Sequence, residues 1–176
     1  VTKREGNILS GIIRNAWDSG ELRTMTKNSP ASASGAHVSI IGHITKDELL
    51  RSLDTTEAGN GFGNRFLWVC VRRVRILPEG GSIDSAPLSV HTQRLAKAYE
   101  FAQEVGELHR DSEAREVWHS VYPSLSDAKP GLLGALIARA EAQVMRLAAV
   151  YAVMDCSEVI RKEHLYAAIA VWDYCE

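Results

Sequence analysis

Apolar residues recur along this chain with two different periods. At Ile8, Leu9, Ile12, Ile13 and Trp17 they fall three and four apart, which predicts an amphipathic helix from Gly6 to Asp18, stopped by Ser19-Gly20. The segment ELRTMTKNSPASASGAHVSIIGHIT changes the pattern. A short strand over Leu22 to Met25 and a second over His37 to Gly42 flank a run of small residues, giving a hairpin with a long tip from Lys27 to Gly35. A helix is expected to open at Thr45, where T-K-D-E sets Thr45 and Glu48 as a capping box and Leu49, Leu50 and Leu53 form the apolar face. Glycine and asparagine then interrupt the chain until Phe66. The run FLWVCV, residues 66 to 71, is apolar at successive positions, as in a strand covered on both faces.

Beyond Pro87 the periodicity is helical throughout. Leu95, Ala98, Phe101, Val105 and Leu108 form one stripe, and Val117, Trp118, Val121 and Tyr122 a second. After Pro130-Gly131 a third runs from Leu133 through Leu136, Ile137, Ala140, Val144, Leu147 and Ala148 to Tyr151, and a fourth through Leu165, Ala168, Ile169 and Trp172. The expected organisation is an α/β region over residues 1–86 followed by a helical, lid-like bundle over 87–176, without internal repeats.

Composition narrows this only slightly. Hydrophobic residues make up 45% and charged residues 24% of the 176 positions, an ordinary globular balance with no apolar run long enough to span a membrane. The three cysteines, Cys70, Cys156 and Cys175, are widely spaced and read as reduced, mostly packed thiols of a cytoplasmic protein. A net charge of -2 argues against indiscriminate polyanion binding, while leaving room for a local basic patch. The chain starts at Val1 without a methionine or signal segment, which leads us to expect an interior cut point in a longer protein.

Motifs are conspicuous by absence. The sequence has no G-x-x-x-x-G-K-[ST], no apolar strand ending in Asp-Glu, no G-x-S-x-G and no H-E-x-x-H. Its six histidines stand apart from one another and from cysteine or aspartate at ligand spacings, so no metal site is expected. Hydrolytic or metal chemistry carried by this chain alone is not expected. What stands out is GNGFGNRFLWVCVRR, residues 59 to 73, in which the permanently charged Arg65 sits at the mouth of the apolar run.

Taken in order, helix, long-tipped hairpin, strand with a polar end (VSIIGHIT), capped helix, Gly/Asn turn, arginine and apolar run (NGFGNRFLWVCV) resemble the second half of a P-loop ATPase core of the hexameric-helicase type. Similar features occur in the minichromosome-maintenance helicases and their AAA+ relatives. The nearest resemblance is to the ATPase-like region of primase-helicase proteins of phages and other mobile elements, where a G-x-x-x-R-F block, here Gly61 to Phe66, precedes a strand. The resemblance covers most of residues 7 to 77 and 130 to 174 through short motifs, and residues 88 to 125 match nothing. It implies that Arg65 is an arginine finger serving a neighbouring subunit's ATP, and that His43 occupies the first sensor position, where the family commonly carries an amide. It further implies that Arg139, with Arg146 as rival, is the second sensor on a lid helix, and that Thr26, Lys27 and Asn28 reach into a ring's central channel toward single-stranded DNA. ATP and Mg2+ would bind only with the missing phosphate-binding half or a neighbouring subunit. The implied protein is a ring-forming, DNA-translocating replication enzyme of which this chain is the C-terminal part, inactive by itself.

Every one of these residues also has an ordinary explanation. Arg65 can pair with a carboxylate at the core edge, and the glycines at 59, 61 and 63 can simply make a turn. His43 can be a hydrogen-bonded histidine at a sheet end, Thr45 a helix cap, and Arg139 and Arg146 a solvated helix edge. Lys27 can keep a loop soluble, and Arg72, Arg73 and Arg75 can mark a strand's exit into water. The competing class of function is a non-catalytic helical module that binds protein or DNA.

Overall fold

Short-range chemistry places most of the elements. In chain order they are α1 (Leu9–Asp18), β1 (Leu22–Thr24), β2 (Ala31–Ala33), α2 (Lys46–Ser52), a 3-10 turn (Gly63–Arg65), α3 (Ser85–Glu104), β3 (His109–Arg110), α4 (Ser112–Leu125), α5 (Gly131–Ile137), α6 (Ala140–Met154), β4 (Val159–Ile160) and α7 (Lys162–Cys175). The computed structural model describes residues 9–24, 30–52, 60–83 and 85–176. The described chain is mixed α/β and mostly helical. It forms two compact units, one of Val1–Phe66 with Ala128–Arg139, the other of Leu67–Asp127 with Ala140–Glu176.

In the first unit α1 ends as its sequence predicts: the Ser19 and Gly20 amides both donate to the Asn15 carbonyl, at 2.9 and 3.0 Å. Gly20 has φ +70°, and a Cβ there would stand 2.8 Å from the Ala36 carbonyl oxygen, so glycine alone lets the Ala36 amide close on Gly20 O. That closure sets the hairpin. β1 pairs antiparallel with β2 in the register Leu22 to Ala33 and Thr24 to Ala31. The second strand therefore falls on Ala31–Ala33 and not on residues 37 to 42, which carry no ladder and leave Val38, Ile40 and Ile41 exposed. The expectation of a strand there is corrected by the register: the ladder is used up before His37. The Thr45 hydroxyl does cap α2, accepting from the Glu48 amide at 3.3 Å.

The second unit is built on apolar burial. Val144, Ala148 and Ala152 of α6 and Leu165 and Ala168 of α7 are wholly buried, and these two helices make the most extensive pairing in the structure. Alanines at these positions let the helix backbones approach closely. α3 packs on α6 through the buried Ala98, and α4 packs on α7 with Ala114 and Trp118 inside. Pro87 falls in the first turn of α3, where its missing amide costs nothing. Asp111 caps α4 by accepting from the Ala114 amide at 2.8 Å. The loops before α4 and α7 are tied by the two-residue parallel pair of β3 and β4, in which the buried Ile160 accepts from the Asp111 amide. Buried His164 accepts the Arg161 amide on Nδ1 at 3.1 Å, which leaves its Nε2–H to donate to Asp155. This histidine is a structural link at the start of α7.

The run from Leu67 to Val71 also departs from expectation. It forms no ladder, Val69 and Val71 are exposed, and the Cys70 carbonyl accepts from the Tyr174 hydroxyl. A strand covered on both faces requires hydrogen-bonded neighbours, and none among the described residues supplies one. The expected apolar strand at 66–71 is therefore not formed, and the described sheets are the hairpin and the two-residue parallel pair. The cysteines are free; Cys70 is exposed, and burial raises the thiol pKa of Cys175 above its ordinary value. No described helix is long and apolar enough to cross a membrane.

Candidate anion site

The first unit brings two of the singled-out arginines together. α5 packs on the 3-10 turn, so Arg139, two residues beyond the helix, is carried toward Arg65 at the end of the turn. Both reach Asp18, the last residue of α1. Arg65 Nη2 lies 2.5 Å from Asp18 Oδ2, and Arg139 Nη1 lies 3.3 Å from Asp18 Oδ1. Each carboxylate oxygen thus faces a different guanidinium. Beneath them is Trp17, with the Arg139 and Arg65 Cζ atoms 4.6 and 5.7 Å from the ring centroid, both within the range of a cation–π attraction.

The turn itself explains how Arg65 is held. Asn60 Oδ1 accepts from the Phe62 amide at 2.9 Å, an Asx turn, and the Asn60 carbonyl accepts from Arg14 Nη1 of α1 at 3.0 Å. Gly61 has φ +78°, and a Cβ on it would lie 2.9 Å from Arg65 Nη1, so the glycine makes room for the guanidinium to fold back and donate to the Gly61 carbonyl. The Phe62 and Phe66 rings, with centroids 5.1 Å apart, bracket the turn. The Arg65 side chain is only 7% exposed, against 33% for Arg139 and 41% for Asp18. Arg65 Nε is buried without an acceptor among the described residues.

Among the described residues the cluster sets two guanidinium groups around one carboxylate. A guanidinium cannot shed its proton, so two fixed positive charges share one carboxylate. Asp18 also stands in the last turn of a helix, where the backbone dipole opposes a negative charge. Its partners, not its helix, keep it there. The site offers hydrogen-bond donors and an aromatic face. Among the described residues there is no group of three His, Cys, Asp or Glu side chains that could hold a metal ion. Two guanidinium forks of this kind are suited to pairing with an anion, as they do here with the Asp18 carboxylate.

The other singled-out residues lie elsewhere. His43 is exposed in the segment between β2 and α2. Arg146 is exposed on α6, in the second unit. Thr26, Lys27 and Asn28 lie outside the described residues. Gly61 and Gly63 make the turn and Thr45 the cap, while Arg72, Arg73 and Arg75 are exposed after the Leu67–Val71 run. Asp18 and Trp17 were not singled out by sequence. The signal that could have found Asp18 is its place in the last turn of a helix, unfavourable without a cation.

A second concave feature belongs to the helical unit. Arg110, Trp118, His119, Tyr122 and Pro123 line an open basin of about 330 Å³, in which Arg110 stacks 5.3 Å from the Trp118 ring and Tyr122 meets that ring edge-on. Comparison with family models, with curated proteins and with solved structures gives no match for this chain.

Proposed function

We propose that this chain carries the arginine side of a nucleotide site in an ATP-driven, nucleic-acid-translocating motor of the primase-helicase type, the phosphate-binding loop lying outside these residues. The observation that carries the reading is the meeting of Arg65 and Arg139 on one carboxylate. These two residues were singled out separately, as a finger in one stretch and as a lid sensor in another, and a pair of guanidinium forks is what recognition of phosphate oxygens demands. In the working assembly Arg65 contacts the terminal phosphate of ATP held by a neighbour, Arg139 steadies it, and Mg2+ arrives with the nucleotide. Single-stranded DNA is the proposed track and a ring the proposed assembly.

The test is ATP turnover by the complete motor in the presence of single-stranded DNA. Arg65→Ala is expected to lower it by about 10³-fold or more, the size typical of losing an arginine finger, with its thermal melt accounting for any lost fold. Full turnover by the substituted motor would sink the assignment. Residues 1–176 alone are expected to hydrolyse no ATP.

A second reading, a helical module that docks a protein or DNA partner, is favoured by the Arg110–Trp118–Tyr122 basin. Its mark would be partner binding that is lost on Tyr122→Ala and indifferent to Arg65→Ala.

A further inference from the structure

We propose that Asp18 is a displaceable latch, a carboxylate that occupies the place of a phosphate between Arg65 and Arg139 and yields it to the oxygens of an oligophosphate. The proposal rests on the reading of the two arginines as nucleotide-facing, and it adds that the site is closed from within until an anion competes.

Four features of the cluster carry it. Asp18 presents one oxygen to each fork, as a bridging phosphate would, yet it brings a single negative charge to two positive ones. A phosphate group with a charge near −2 matches the pair more fully. Asp18 does not satisfy all of Arg65, whose enclosed Nε has no acceptor among the described residues. The latch is poorly seated, being 41% exposed on the unfavourable end of a helix dipole. The forks, by contrast, have anchors that survive its departure: Arg65 on the Gly61 carbonyl, and both guanidiniums over the Trp17 ring. Release of Asp18 therefore leaves an assembled receptor and not two wandering side chains. Rotation of one exposed carboxylate opens the site.

Isothermal titration of inorganic tripolyphosphate into the chain tests this. Asp18→Asn keeps the shape of the side chain and removes its charge, and it is expected to bind at least about tenfold tighter than the wild type, the scale of one lost competing ion pair. Asp18→Glu keeps a carboxylate and should stay near the wild type. The gain should vanish in the double variant Asp18→Asn with Arg65→Gln. Equal binding by wild type and a folded Asp18→Asn, or a gain that persists in the double variant, overturns the latch. Because Asp18→Asn could unsettle the buried Arg65, the wild type gives an independent readout. Tripolyphosphate should move the ¹⁵N-resolved Arg65 and Arg139 Nε–H signals and the Asp18 carboxyl carbon together, and a titration that leaves the Asp18 signal unmoved overturns the proposal. If the latch behaves as expected while the complete motor keeps its turnover with Arg65→Ala, the latch stands as an anion site and the motor reading falls.

Discussion

The helical unit buries Val144, Ala148, Leu165 and Ala168 completely, whereas the unit that carries the arginine cluster has a guanidinium among its most enclosed side chains. In the first, neighbours are interchangeable in kind: what matters is apolar volume and close helix approach. In the second, each contact is specific. Arg65 needs Gly61 without a side chain, Asp18 with a charge, and Trp17 with a ring. Apolar burial tolerates exchange of one apolar side chain for another, while specific polar pairing ties the geometry to a few particular groups.

Substitutions can break this contrast or sharpen it. The largest stability loss is expected for Leu165→Ala, about 2–5 kcal/mol by chemical denaturation, because the side chain is wholly enclosed between packed helices. The Arg65 and Asp18 NMR signals should stay in place until the global transition, and an early loss of those signals would break the contrast. Next comes Gly134→Ala, expected to cost about 1–3 kcal/mol, since a Cβ there would stand 1.5 Å from the Lys129 carbonyl oxygen and α5 would have to move. Here the Arg139 signal should shift as well, because α5 positions it. An unchanged Arg139 would show that the helix is not what delivers it.

Helix caps give a smaller and more even comparison. Asp111→Ala removes the carboxylate that accepts the Ala114 amide and should cost about 1 kcal/mol, and Thr45→Ala about 0.5 kcal/mol on its exposed helix, both read as shifts in denaturation midpoint. The smallest effect belongs to the exposed Lys162–Glu113 pair. The hydrogen bond and charge of Glu113 raise the Lys162 pKa, so the pair's contribution is complete below the ordinary lysine value and lost as pH climbs through the raised one. The melting-temperature difference between wild type and Glu113→Gln should fade in strongly alkaline buffer, and one that grows there would reverse the sign.

Particular residues show how far the sequence could be read. α1, the Thr45 cap and the helices from α3 onward follow from periodicity and local chemistry, which act at short range. The third stripe does not survive as one helix. It breaks at Ala138 and Arg139, two good helix formers with no glycine or proline to mark the place. Arg139 leaves the helical path where it engages Asp18 and Trp17, a reason that lies far away along the chain. Residues 37 to 42 and 66 to 71 have strand composition, but composition cannot supply a neighbouring strand. Arg65 was recognisable as out of place, and its carboxylate partner was foreseeable in kind. That the partner is Asp18, and that Arg139 shares it, required the tertiary structure.

Neither unit is continuous along the chain: residues 128–139 return to the first after the second has begun. During synthesis from the N-terminus, Asp18 and Arg65 can meet early, but Arg139 joins them only after residues 67–127 have been made. The site thus spends part of its history with one fork and one carboxylate, a balanced pair with no charge to spare. The proposed affinity for an anion would accordingly be a property acquired late, when the second arginine arrives.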